Sequence, residues 1–263
     1  LVNENILALA MQAAKKAGQT ILDYYGKDHI TYEKHDGTPL TLADQLSNDI
    51  ILTVLKPTDI KVVSEETPER HMGIDEYWLV DPLDGTKDYL AKNDEFTVNI
   101  ALIKNKVPLL GVVYAPALNE LYAGVVGQGA CKEKNGIKTK MTLMPKSKFL
   151  RMAVSRFHDN PDAQVFAREN KISAYVPLGA ALKYGRLAAG EIDIYPRLVG
   201  TSEWDTAAGQ AVLEAAGGQV LDWHTGERLH YDKANRRNGR FLALRSPYKY
   251  SEFKLKEYRR ELL

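Results

Sequence analysis

Asp81-Pro82-Leu83-Asp84-Gly85-Thr86, set directly after Tyr77-Trp78-Leu79-Val80, is the stretch from which the organisation of the chain is read. The four preceding residues are large and β-favouring, which predicts a buried strand whose end carries the two carboxylates. Pro82 restricts the backbone and Gly85 admits a conformation closed to other residues, so Asp81 and Asp84 can be turned toward one point. Oxygens gathered in this way suit a hard cation. Magnesium takes one or two carboxylates and keeps waters and phosphate oxygens in its other positions, and the Leu83 carbonyl can fill one more. Taken singly, Asp-Pro and Asp-Gly are common turn pairs, and either alone would mean only a loop.

Outward from this strand, short apolar runs at 61–64, 96–103, 109–114, 119–126 and 129–131 predict a sheet-rich middle. Upstream, Ile6, Ala10, Ala13, Ala17, Ile21 and Tyr25 recur at helical spacing, predicting a helix over 4–25 that ends at Gly26. A second helix is predicted over 42–55, with Thr41 as N-cap, Asp44 in its first turn and Pro57 beyond its end. Around 138–148 the composition turns polar and basic, which divides the chain into halves at 1–145 and 146–263. The second half alternates strands at 152–155, 192–195, 219–222 and 241–244 with helices at 180–189 and 205–216. The fold class is therefore α/β or mixed α+β.

Composition removes several function classes. The 263 residues carry a formal net charge of +1, with 44% hydrophobic and 26% charged residues, so there is no global attraction to a nucleic acid polymer. The lone Cys131 excludes an internal disulfide and fits a reducing cytoplasm, and the six histidines lack zinc spacing. Residues 1–14 read as a helix and not as a signal segment, because Lys15-Lys16 follows the apolar run instead of preceding it. No stretch reaches the roughly 18 apolar residues of a membrane span. The basic run at 254–260 reads as a solvated helix face, with loose contact to the inner face of the membrane as the minor alternative.

Two further acidic runs accompany the first. Ser64-Glu65-Glu66 ends an apolar run, and alone it reads as a solvated loop or a second metal arm. Glu203-Trp204-Asp205-Thr206-Ala207-Ala208 opens a predicted helix closed by Gly217-Gly218, where Asp205 can serve as N-cap, as metal ligand, or as both. In this order and spacing the three runs resemble the inositol monophosphatase superfamily of magnesium-dependent phosphatases. The extended runs 77–88 and 95–102 are most similar to its bacterial 3'(2'),5'-bisphosphate nucleotidase branch of the CysQ type. The resemblance covers nearly the whole chain and implies a layered αβαβα sandwich with the site between its halves.

It further implies that Glu65, Asp81, Asp84, Asp205 and the Leu83 carbonyl hold Mg2+, about two or three ions per site. The resemblance also implies that Asp44 pairs with Thr86, which is expected to activate a water, that Glu66 supports Glu65, and that Gly85 and Thr86 face the substrate. Lys183 and Arg197 match positions suited to the second phosphate of adenosine 3',5'-bisphosphate, a by-product of sulfur metabolism, and His158 is a candidate for the adenine. Ala180 and Ala181 depart from the nucleotidase pattern, in which both positions are serine. Arg197 stands where inositol-specific relatives carry Glu, which separates the leading reading from an inositol monophosphatase or fructose-1,6-bisphosphatase. A non-catalytic metal or nucleotide sensor is the rival from another class. No stable protein partner is implied, and a homodimer is compatible. An aspartyl-phosphate or cysteine phosphatase fits poorly, since neither Asp-x-Asp nor Cys-x5-Arg occurs in the required setting.

Overall fold

The computed structural model describes residues 4–27, 31–33, 39–67, 73–156 and 161–256. A short antiparallel pair, β1 (Thr31–Glu33) and β2 (Pro39–Thr41), leads into a seven-stranded sheet. Its strands are β3 (Val62–Ser64), β4 (Glu76–Asp84), β5 (Thr97–Lys104), β6 (Val107–Ala115), β7 (Glu120–Val125), β8 (Gly129–Lys134) and β9 (Ile137–Lys140), neighbours in sequence order. Only the β3–β4 pair is parallel; the others form an antiparallel meander. A second sheet takes β10 (Arg151–Ser155), β11 (Ala174–Leu178), β12 (Ile194–Arg197), β14 (Gln219–Asp222) and β16 (Phe241–Leu244) in the order β11-β10-β12-β16-β14. The small pair β13 (Thr201–Ser202) and β15 (Arg237–Asn238) stands beside it.

Alternation along β4 decides which layer covers which face. Trp78 and Val80 point into one core with α1 (Glu4–Tyr24) and α2 (Leu42–Leu55), packed by Ala13, Ala17, Ile21 and Ile51. Tyr77 and Leu79 point into another, with α5 (Leu182–Ala188), α6 (Ala207–Ala215) and the near face of the second sheet. The far face of that sheet, through Met152, Ile194 and Leu244, is covered by Phe166 and Ala167 of α4 (Pro161–Glu169). The result is helix, sheet, helix, sheet, helix, the layered αβαβα sandwich expected above. Each fully buried large side chain contributes about 1.5–3 kcal/mol of apolar burial, so these period-two faces specify the register.

The strands divide between the two sheets on either side of 141–150, yet α5 and α6 pack on the first sheet, so the two halves share one core. Two expectations change. The run 81–84 does not leave the strand: β4 continues to Asp84 through a bulge, since Asp81 pairs with Asn99 and Asp84 with Thr97. Pro82 has no N–H for the ladder, and two residues face one across the bulge. The basic stretch after 253 is not helical at 254–256; Lys254 exchanges hydrogen bonds with the Asn170 amide, and Lys256 pairs with Glu169 at 3.0 Å. Residues 257–260 of that stretch lie outside the described residues. No helix among the described residues is long and apolar enough to cross a membrane.

Candidate active site

The bulge in β4 creates the acidic centre. Gly85 follows it at φ +85°, a left-handed conformation that turns the chain into α3 (Thr86–Leu90) and leaves Asp81, Leu83, Asp84 and Thr86 lining one cavity. The Asp81 carboxylate accepts the Leu83 amide at 3.1 Å. Asp84 accepts Asn99 Nδ2 at 3.0 Å from the neighbouring strand, and the Thr97 hydroxyl stands at 3.5 Å from the same oxygen. Ser47 of α2 donates to the Pro82 carbonyl at 2.7 Å, which ties the bulge to the helix layer behind it.

Asp205 arrives from the second half. The helix begins later than predicted: α6 starts at Ala207 with Thr206 at the cap position, so Asp205 lies in the turn before it and is not the N-cap. Instead Asp205 Oδ2 accepts the Ser202 amide at 3.0 Å, which aims the carboxylate into the cavity. The turn is anchored by Glu203, which is fully buried and accepts Arg236 Nη1 at 3.1 Å and the Lys233 amide at 3.0 Å, while Arg236 also donates to Tyr77 of β4. Thus Glu203 fixes the loop, while Asp205 beside it faces the cavity.

Asp81, Asp84 and Asp205 each place one carboxylate oxygen within 4.8 Å of the others. Such crowding is electrostatically unfavourable without a cation. Burial pushes Asp84 up to about 6, against the pull of Lys183 and the Asn99 hydrogen bond, with Glu65 pushing the same way as burial. Burial, then Asp84 and Glu65, hold Asp205 well above the ordinary carboxylate range. Glu65, at the end of β3 with its amide bonded to the Val80 carbonyl, lines the same cavity. An all-oxygen, net-acidic donor set of this kind fits a hard divalent cation.

The cavity, about 320 Å³, gathers Glu65, Asp81, Leu83, Asp84, Gly85, Thr86, Lys183, Arg197 and Asp205 of the predicted residues. Asp44 and Glu66 do not line it. Asp44 is buried at the start of α2, where its Oδ2 accepts the Thr41 amide at 2.8 Å and hydroxyl at 2.5 Å; the Glu66 amide donates to the Ser64 hydroxyl at 3.3 Å. The Thr86 hydroxyl lies 3.5 Å from the Leu83 carbonyl. Lys183 is buried, donates to the Ala180 carbonyl at 2.9 Å and lies 5.4 Å from the centre of the Tyr195 ring. Arg197 Nε donates to the Val199 carbonyl at 3.1 Å. His158 lies outside the described residues.

Sequence reasoning missed Asn99, Ser202, Tyr184 and Arg237. Asn99 sits inside the quoted 95–102 run, and a polar residue in an otherwise apolar strand was a readable signal. Arg237 lines the cavity and donates to Ser202 Oγ at 3.2 Å, but it comes from a short strand with no local signature.

Comparisons with known proteins bear on this geometry. The sequence profile of the inositol monophosphatase family matches residues 2–246. A 3'(2'),5'-bisphosphate nucleotidase CysQ of Buchnera aphidicola is 40% identical over 234 residues, covering 86% of this chain and 87% of that protein. The protein of the same description from Escherichia coli O157:H7 is 39% identical, covering 84% and 91%. Among solved structures, CysQ from Bacteroides thetaiotaomicron, described as a bacterial member of the inositol monophosphatase family, superposes with a TM-score of 0.82 at 35% identity. It covers 92% of this chain and 97% of its own.

Proposed function

The chain belongs to the inositol monophosphatase family, and we propose that it is a magnesium-dependent phosphomonoesterase hydrolysing adenosine 3',5'-bisphosphate to AMP and phosphate. The observation that carries the reading is one cavity with an acidic pole of Glu65, Asp81, Asp84 and Asp205 and a basic set of Lys183, Arg197 and Arg237. A monophosphate needs only the first; a bisphosphate needs charge for a second phosphate away from it. The names of the relatives at 39–40% identity support the same substrate class.

Magnesium held by Asp81, Asp84, Asp205, Glu65 and the Leu83 carbonyl would supply charge neutralisation on the phosphate and a more acidic water. The chain's own groups do the rest. Thr86 opens α3 at the cavity wall, where its hydroxyl can orient the attacking water, and Asp44 supports it from behind; Glu66 steadies the Glu65 arm. Asn99 and Ser202 hold the Asp84 and Asp205 carboxylates in place, so they need no reorganisation as charge develops. Arg197 and Lys183 set the non-scissile phosphate, which orients the scissile one for in-line attack. His158 is assigned to the adenine on resemblance alone. Ala180 and Ala181 offer no hydroxyl to the second phosphate, so its binding falls more heavily on the cations.

The deciding experiment is phosphate release from adenosine 3',5'-bisphosphate, inositol 1-phosphate and fructose 1,6-bisphosphate, each with and without magnesium. The reading expects highest kcat/KM on the nucleotide and none without the metal. Preference for inositol 1-phosphate or fructose 1,6-bisphosphate would move the chain to another branch, and binding without turnover would make it a sensor.

A further inference from the structure

Tyr184 is a buried residue outside the acidic pole and the basic set of the cavity. It follows Lys183 on α5, is 2% exposed, and lines the same cavity as Asp205 and Arg197. Its hydroxyl is buried and has no hydrogen-bond partner among the described residues. Buried hydroxyls are paired in the great majority of cases, and one left unpaired costs about 1–3 kcal/mol, so an orphan at a cavity wall points to a partner that arrives with the ligand.

The ring is held as a positioned group would be. It stacks on Phe241 at 6.4 Å and 27°, and meets Tyr195 edge to face at 5.8 Å and 83°. On α6, Gly209 makes room for it: a Cβ there would stand 2.3 Å from the ring's Cγ and Cδ2. With three sides fixed, the hydroxyl cannot swing away to water. Burial, with Tyr195 and Tyr231 adding to it, keeps the phenol well above its ordinary value, so it retains its proton at neutral pH and can donate. Arg197 and Asp205 are the charged groups that act on it. Ser202 and Asn99 donate to Oδ2 of Asp205 and of Asp84, and a ligand phosphate beside Arg197 would bring further anionic oxygens able to accept a donor.

We propose that the Tyr184 hydroxyl is a specificity-determining donor, hydrogen-bonding an oxygen of the non-scissile phosphate beside Arg197 and taking over part of what the missing serines at 180 and 181 would supply. The inference rests on the bisphosphate reading above. Tyr184→Phe deletes one oxygen and keeps the ring and its packing.

The test is steady-state kinetics of Tyr184→Phe on adenosine 3',5'-bisphosphate and on adenosine 3'-phosphate, which shares base, sugar and scissile ester but lacks the second phosphate. A hydrogen bond to a charged group predicts a rise in KM of about 10-fold or more for the bisphosphate, with kcat and the monophosphate little changed. The metal-free variant should melt no lower than the parent, because it loses an unpaired hydroxyl. Unchanged KM for the bisphosphate, equal loss on both substrates, or a lowered melting temperature would each overturn the assignment. If the parent enzyme itself shows no preference for the bisphosphate, the nucleotidase reading fails and takes this inference with it. If the parent prefers it and the variant keeps that preference, the Tyr184 assignment fails alone.

Discussion

At the scale of single residues, the acidic centre joins function to instability. Asp84 sits among Asp81, Asp205 and Glu65, and burial raises its proton affinity, so in the metal-free protein the ionised form is held at a cost. Asp84→Asn should therefore reduce kcat/KM by on the order of 10²–10³-fold or more while leaving the metal-free protein about 1–3 kcal/mol more stable at pH 7. Phosphate release and urea denaturation in chelator measure the two sides; near-normal turnover would remove Asp84 from the site. Arg197→Glu should raise KM for the bisphosphate by about 10-fold or more and spare a simple phosphate ester. Equal loss on both would deny Arg197 its role with the second phosphate. Asp81 and Asp84 were readable from their own local motif, whereas Glu65, Asp205 and Arg197 entered the expected site through the family resemblance. Asn99 and Ser202 were not assigned, since each acts only by lying across a strand pair or a turn from the carboxylate that it holds.

Among the elements, β4 and α6 show where local rules are overruled. Apolar, β-favouring residues predict the strand to Val80, but the ladder with β5 carries it to Asp84 by placing Pro82 in a bulge. In α6, helix propensity alone would favour Ala over Gly at 209 by about 1 kcal/mol. Packing reverses the sign: the new Cβ would strike the base of the Tyr184 ring, which Phe241 and Tyr195 prevent from shifting. Gly209→Ala should thus lower stability by about 1–3 kcal/mol and weaken substrate binding with it. A gain in denaturation midpoint would show that the ring yields. Helix positions and most strands were legible from periodicity. The start of α6 was not, because Asp205 is a sound N-cap by type and only the Ser202 amide draws its carboxylate elsewhere.

For the whole molecule, two devices hold the layers in relation. Asp193, fully buried beside the second sheet, accepts Arg245 Nε at 2.6 Å, Arg151 Nε at 3.0 Å and the Ser147 hydroxyl at 2.8 Å, while Arg245 also binds the Met144 and Pro145 carbonyls. The crossing between the sheets is thereby tied to the second sheet. Burial alone would raise the Asp193 carboxyl, but the donors from Arg151, Ser147 and Arg245 outweigh it and hold it below its ordinary value. A depressed acid stabilises the fold above the unfolded-state value and loses that contribution as pH falls through the folded one. Stability should drop as pH falls below about 4, and Asp193→Asn should flatten that part of the profile while costing about 3 kcal/mol at pH 7. Thermal melts across pH 2–7 would show it. The second device is the site itself, which takes carboxylates from both halves. Millimolar magnesium should raise the melting temperature and chelator reverse it, by an amount that grows with the logarithm of metal concentration; no shift would exclude a metal at the site.

The chain by itself determined the mixed α/β class, the acidic runs and the sign of charge at Arg197 and Lys183, because periodicity, turn chemistry and residue type are local properties; the layered order was implied by the family resemblance. Only the tertiary structure decided that Asp205 meets Asp81 and Asp84 within 4.8 Å, that Glu203 beside it is an anchor, and that Tyr184, lining the cavity, ends in a buried hydroxyl with no partner among the described residues. Those facts depend on where two sheets and the helices between them place groups distant in the chain, Glu203 and Arg236 33 residues apart and Asp81 and Asp205 more than a hundred. No short-range pattern encodes that distance.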